Sequence, residues 1–268
     1  MTSVSNAVVD DDLRETIAQI AQVVASPYPM VFATLSGDHL YGFPSPNSAY
    51  DVRGAYILPV SAVVGLEVAN ESISAVRQAN ATTASLVINV DLHDLKKFSL
   101  LLLKKNGAAL EHLCSPLILY TTPHHDRLRA IVPKCITRHH LYHYAGLAST
   151  YWHMFQQPPH QIKPLLYAYR ALLTGIHLMR SGTINTNLNS LNQDFQLSYL
   201  SDLIASKVTG SDDIALTHAD VPFHHGEYQR LQRLLEDASQ ASALPEVPTA
   251  KADLHQLLVQ LRTGAGSF

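Results

Sequence analysis

The sequence predicts an α+β fold in which a small mixed-sheet lobe is followed by an all-helical lobe. Up to about residue 120, short apolar runs of strand character alternate with helical stretches, and beyond residue 135 helix follows helix. Of the 268 residues 47% are apolar, enough for a sizeable core, and only 15% are charged, which argues against long disordered tracts. The expected division falls at residues 1–135 and 136–268.

Residues 13–26 carry Leu13, Ile17, Ile20, Ala21 and Val24 at helical spacing, with acidic residues 10–12 at the N-terminal end, where the helix dipole favours them. Pro27 and Pro29 end that helix. Val31 to Leu35 reads as a buried strand, Tyr50 to Leu58 as an alternating one, and Ala84 to Val90 as a third, rich in β-branched residues. Leu95 to Leu103 reads as a helix stopped by Lys104-Lys105-Asn106-Gly107. Further helices are expected over Leu141 to Phe155, Ile162 to Met179, Tyr199 to Val208, His225 to Ala238 and Ala252 to Leu261, with Pro158-Pro159 and Ser181-Gly182 as breaks. Residues 242–250 hold Pro245 and Pro248 and read as a connector; no internal repeat is visible.

A formal net charge of −3 argues against a generally basic nucleic-acid coat and leaves room for a local basic cleft. Cys114 and Cys135 are the only cysteines, have no zinc-type spacing, and read as buried thiols. No charged-plus-apolar leader is visible, and no apolar run approaches the ~20 residues of a membrane span. A cytoplasmic protein with no membrane partner is expected, and the oligomeric state is left open.

The chemistry is concentrated in residues 36–59, where Gly37-Asp38-His39-Leu40-Tyr41-Gly42-Phe43 precedes a loop rich in Pro, Ser and Asn, then Ser48-Ala49-Tyr50-Asp51-Val52-Arg53-Gly54. This block resembles the signature of polymerase-β-type nucleotidyltransferases, and most closely a bacterial branch associated with RNA repair. That branch usually reads Gly-Ser-x-x-Tyr-Gly-Phe, then Ser-Asp-x-Asp-x-Arg-Gly. His93 to Phe98, Lys104 to Leu117, Arg138 to Gly146, Lys163 to Arg180 and Phe223 to Tyr228 also resemble text of this branch, so the similarity runs from about residue 31 to 263.

The resemblance implies metal-dependent transfer of a nucleoside monophosphate from a nucleoside triphosphate to a hydroxyl, most plausibly on RNA. Magnesium would be the cofactor, because two hard cations aligning hydroxyl and α-phosphate want carboxylate oxygens. Carboxylates at i and i+2 of a strand share a face and can bridge such a pair. Here Asp51 is present, Ala49 stands at the first expected Asp position, and Asn89 stands at the third. Asp91, two residues on, shares the face of Asn89 and is a substitute candidate beside Asp51 for metal. Gly37, Ser48 and Arg53 fit a phosphate-binding turn and its surroundings, but Asp38 replaces the hydroxyl of the family's Ser. At ~4 Å and an effective dielectric of ~20, each unit-charge repulsion between that carboxylate and phosphate is ~4 kcal/mol.

Lys163, Arg170 and His177 lie seven apart on one helix. Lys163 and Arg170 are expected to hold phosphate from a cleft-facing stripe, against the alternative of basic residues facing water. Lys104 and Lys105 suit either an RNA backbone or a solvated helix end. His139, His140 and His143 have metal-compatible spacing but no acidic or Cys partner nearby in sequence. Two functions therefore compete, a nucleotidyltransferase and a non-catalytic relative (a pseudoenzyme) that acts by binding nucleotide or RNA, with a purely structural or antitoxin-like partner protein as a third, weaker reading. The departures at 38, 49 and 89 fit either natural loss of activity or deliberate inactivation.

Overall fold

The structure is a computed structural model that describes residues 20, 26–67, 69–80, 85–210, 214–217 and 220–264. The helix expected over 13–26 lies outside the described residues, except Ile20, which is helical and buried, and Ser26. The described residues form a five-stranded mixed sheet and eleven helices, an α+β architecture.

The sheet contains β1 (Met30–Ser36), β2 (Tyr50–Tyr56), β3 (Ser72–Asn80), β4 (Ser85–Asp94) and β5 (Ile118–Tyr120) in the order β3-β4-β2-β1-β5. Only β2 and β4 run parallel; the other neighbours are antiparallel. Alternation sorts the side chains into two faces. Ala33, Leu35, Val52, Ile88, Val90 and Leu92 bury one face together with Ile20, Tyr56 and Leu58. Asp51, Arg53, Asn89 and Asp91 point to the other.

Short helices punctuate the sheet region. These are α1 (Gly37–Tyr41), α2 (Val60–Val64), α3 (Leu95–Leu103), α4 (Gly107–Cys114) and α5 (Pro123–Cys135). Asp94 caps α3 by accepting from the Lys96 N–H, and Asn106 caps α4 by accepting from the Ala109 N–H. The expected strand 84–90 runs on to Asp94, because parallel pairing with β2 continues from Ile88 to Asp94. β3, α4, α5 and β5 were not expected from the sequence.

Beyond them come α6 (His140–Gln156), α7 (Ile162–Ser181), α8 (Leu188–Phe195), α9 (Ser198–Thr209), α10 (Val221–Gln240) and α11 (Lys251–Arg262). α7 is buried nearly all round, as a central helix must be, and packs against α6 and α10. One apolar cluster runs from Phe32 and Phe98 through Leu110 to Tyr144, Leu172 and Leu257. The last strand ends at Tyr120, and the packing is continuous across residue 135. Arg262 of α11 pairs with the fully buried Asp94, which also accepts from the Leu58 N–H at 3.0 Å. No helix among the described residues is long and apolar enough to cross a membrane.

Candidate functional site

β1 delivers the chain into a tight turn at Gly37, whose φ is +67°. The turn presses against the next strand, since a Cβ at Gly37 would lie 2.3 Å from Asp51 Oδ2. Only glycine accommodates both the left-handed backbone and that approach. The sequence signature thus corresponds to a real juxtaposition of Gly37 with the Asp51 carboxylate.

Asp51 is half-buried and already partnered. Its Oδ1 accepts from Arg53 Nη2 at 3.2 Å and from Asn89 Nδ2 at 3.2 Å. Arg53 also donates from Nη1 to the carbonyls of Val52 at 3.0 Å and Asn89 at 3.2 Å. Strand register sets this arrangement, with Asp51 opposite Asn89 and Arg53 opposite Asp91. Asp91 accepts from Ser74 Oγ at 3.0 Å and lies 4.0 Å from His93 Nε2. It sits one pleat repeat away from Asp51, across from the guanidinium. Asp91 was expected to supplement Asp51; instead the register pairs it with Arg53 and Ser74.

Asp38 occupies a second, more enclosed arrangement. It is 3% exposed and accepts from Ser48 Oγ at 2.6 Å and Tyr167 Oη at 2.5 Å. Lys163 Nζ lies 3.2 Å and Lys207 Nζ 3.4 Å from its Oδ2. Lys207 is itself 1% exposed and donates to Ser45 Oγ at 3.0 Å. Burial pushes the Asp38 pKa up, but the bonds from Ser48 and Tyr167 and the charges of Lys163 and Lys207 outweigh it. The net value lies below the ordinary one, so the carboxylate is ionised at neutral pH. Burial and this anion together push the Tyr167 hydroxyl far up, which keeps it a proton donor. The expected clash between Asp38 and a bound phosphate therefore takes a specific form: the carboxylate itself is the anion between the lysines.

The cleft-facing stripe expected on α7 is corrected. Lys163 does reach the Asp38 site, but Arg170 is buried, bonded to Glu111 Oε1 at 2.7 Å and 4.0 Å above the Tyr41 ring. The seven-residue spacing placed these side chains on one side of α7, and Glu111 of α4 and the Tyr41 ring close over Arg170. His177 lies near Asp194 and Thr183, further along the helix.

Sequence reasoning missed Lys207 and gave no role in a site to Tyr167, Ser45 and Glu111. Lys207 was signalled: it continues the apolar stripe Leu200, Leu203 and Ile204 of α9, where a lysine needs a buried anion. Tyr167 lies four residues after Lys163, one turn along the same face.

Residues 9–260, which include the turn that brings Gly37 onto Asp51, match the RNA repair pathway DNA polymerase beta family, a polymerase-β type of nucleotidyltransferase. The chain belongs to that family.

An uncharacterized protein of Methanocaldococcus jannaschii is 28% identical over 161 residues, which are 60% of this chain and 64% of that protein. The match therefore spans less than two thirds of the relative's length. A crystal structure of a nucleotidyltransferase-like protein from Exiguobacterium sibiricum 255-15 aligns over 95% of this chain and 76% of its own, at 13% identity and a TM-score of 0.30.

The donor set for magnesium fits poorly. Asp51 is the one carboxylate among positions 49, 51 and 89, and Arg53 and Asn89 already occupy its Oδ1. Among the described residues, no group of three or more His, Cys, Asp or Glu is placed to hold a metal ion. That includes His139, His140 and His143; the last two are turned into packing, with His140 Nδ1 against Thr137. A paired-carboxylate site would need Asp restored at 49 and 89.

Proposed function

We propose that this family member binds RNA without transferring nucleotides. The observation that carries the reading is the self-contained Asp38 site, in which a carboxylate of the chain itself lies between Lys163 and Lys207. Asp38 takes up the charge of one of the two lysines that a triphosphate would otherwise meet, which leaves one net positive charge there in place of two. The lone Asp51, neutralised by Arg53, supports the same reading, because the two-metal alignment needs more than one carboxylate. RNA as the partner is supported by the family to which the chain belongs.

The second reading keeps magnesium-dependent transfer: an RNA hydroxyl attacks the α-phosphate of a nucleoside triphosphate and pyrophosphate leaves. Asp51, against the Gly37 turn, favours it. The two readings separate in one assay, in which α-labelled triphosphates are supplied with magnesium or manganese and a panel of RNAs. No label transfer by the natural chain, with transfer gained by the triple variant Asp38→Ser/Ala49→Asp/Asn89→Asp, is the expected result. Label transfer by the natural chain that disappears on Asp51→Ala would replace binding with catalysis as its function.

A further inference from the structure

The loop joining α3 to α4 and the start of α6 enclose an open cleft of about 610 Å³, away from both Asp38 and Asp51. Its polar walls are Lys104, Lys105, Asn106, His139, Tyr142 and His143, with no carboxylate among the lining residues. Neither lysine forms an ion pair among the described residues. Tyr142 is 71% exposed, and its ring stacks on that of His139 with centroids 5.8 Å apart and planes 14° from parallel. The lysines and the aromatic pair come from segments more than thirty residues apart in sequence, joined only by the fold.

Lysines at a helix C-terminus satisfy the dipole and need no ligand. That account does not extend to the rest of the cleft. Lys105 has a left-handed backbone, φ +64°, where glycine is the usual occupant. A large tyrosine ring is left in solvent beside it. His143 Nε2 in the same wall is buried with no hydrogen-bond partner. Burial lowers the His143 pKa, so that ring is a neutral group in the wall. Compact cations beside an exposed aromatic face form the combination that holds single-stranded nucleic acid: the ring stacks a base of any identity, and the ammonium groups meet phosphates.

We propose that this cleft is a single-stranded RNA site, with a base stacked on Tyr142 and His139 and the adjoining phosphates on Lys104 and Lys105. The proposal rests on the reading that the chain binds RNA and adds where and how. It does not depend on whether nucleotide transfer occurs.

The test is fluorescence anisotropy of a labelled twelve-nucleotide oligouridylate across a salt series, with uridine monophosphate as a competitor. The proteins are the natural chain, Tyr142→Ser, Lys104→Gln/Lys105→Gln and Lys251→Gln. Thermal melts monitored by circular dichroism establish that each variant folds, and the exposed positions of Tyr142 and Lys104 favour that. Tyr142→Ser is expected to weaken binding by roughly tenfold through removal of the stacking ring. The lysine pair is expected to reduce the slope of log K against log salt by about 1.4, at about 0.7 for each phosphate no longer neutralised. Lys251→Gln, an exposed lysine at the start of α11 outside both sites, should leave both unchanged. Competition by the mononucleotide at concentrations comparable with the oligonucleotide would mean a nucleotide pocket rather than a strand site, and would overturn the proposal. So would RNA binding that is indifferent to both cleft variants, or no RNA binding by the folded natural chain at low salt. Label transfer by the natural chain would overturn the binding-only function while leaving these affinities as the measure of the cleft.

Discussion

Asp38→Ala deprives Ser48 and Tyr167 of their buried acceptor and removes the anion from between two lysines. Donors left buried without partners cost about 1–3 kcal/mol, read as a fall in the urea midpoint at unchanged slope. The same variant should gain affinity for inorganic pyrophosphate by calorimetry, since an external anion can then take the place of the carboxylate. A destabilised variant with no gain in anion binding would leave Asp38 a structural residue only. Glu111 is the sterner case: Arg170 is buried, and Glu111 is its one carboxylate partner among the described residues. Removing one member of a buried ion pair strands the other, so Glu111→Ala should cost about 3–5 kcal/mol by chemical denaturation. The sequence marked Arg170 as basic and helical but could not tell a phosphate clamp from a buried ion pair, because Glu111 is fifty-nine residues away.

At the scale of elements, the β1–α1 turn and the start of β2 form one unit, in which Gly37 makes room for Asp51. Gly37→Ala should cost about 1–2 kcal/mol from the left-handed backbone alone, and more from the contact with the carboxylate. Asp51→Ala removes the atoms that the new methyl meets. The double variant should therefore be less destabilised than the sum of the two single ones, which a double-mutant cycle on denaturation midpoints measures. Strict additivity would mean that the turn and the strand are independent. Strong elements were legible in the sequence: Leu95–Leu103 has the bounds its pattern predicts, and the expected helices on α6, α7, α9 and α11 lie within two residues of the observed ends. The weak ones were not. β3 is an edge strand with a mostly polar and exposed run, and α5 carries Pro133 within it, so neither displays the periodicity that marks a buried face.

Across the whole molecule, the histidines tie stability to pH. Burial, in the main, pushes His140 down to about 4 and His112 down to about 3, so both are neutral in the folded chain and protonated near pH 6.5 in the unfolded one. The unfolded state thus binds more protons as pH falls. Stability is fully present above about pH 6.5 and is lost progressively towards pH 4 and below. His140, fully buried, contributes a slope of at most about 1.4 kcal/mol per pH unit in that window. His140→Asn keeps an acceptor for the Thr137 N–H and should flatten the decline in denaturation midpoint between pH 6.5 and 4.5. An unchanged pH profile would refute this assignment.

The sequence alone determined three of the five strands, the run of helices, the family resemblance and the gaps in the carboxylate set, because these depend on local periodicity and on residue identity at fixed spacing. Only tertiary structure decided which charges meet. It put Asp38 between Lys163 and Lys207, took Arg170 out of reach and opened the cleft beside Tyr142. Each of these pairings joins residues from separate elements, and the free energy of a charge is set by the burial and partners that packing supplies.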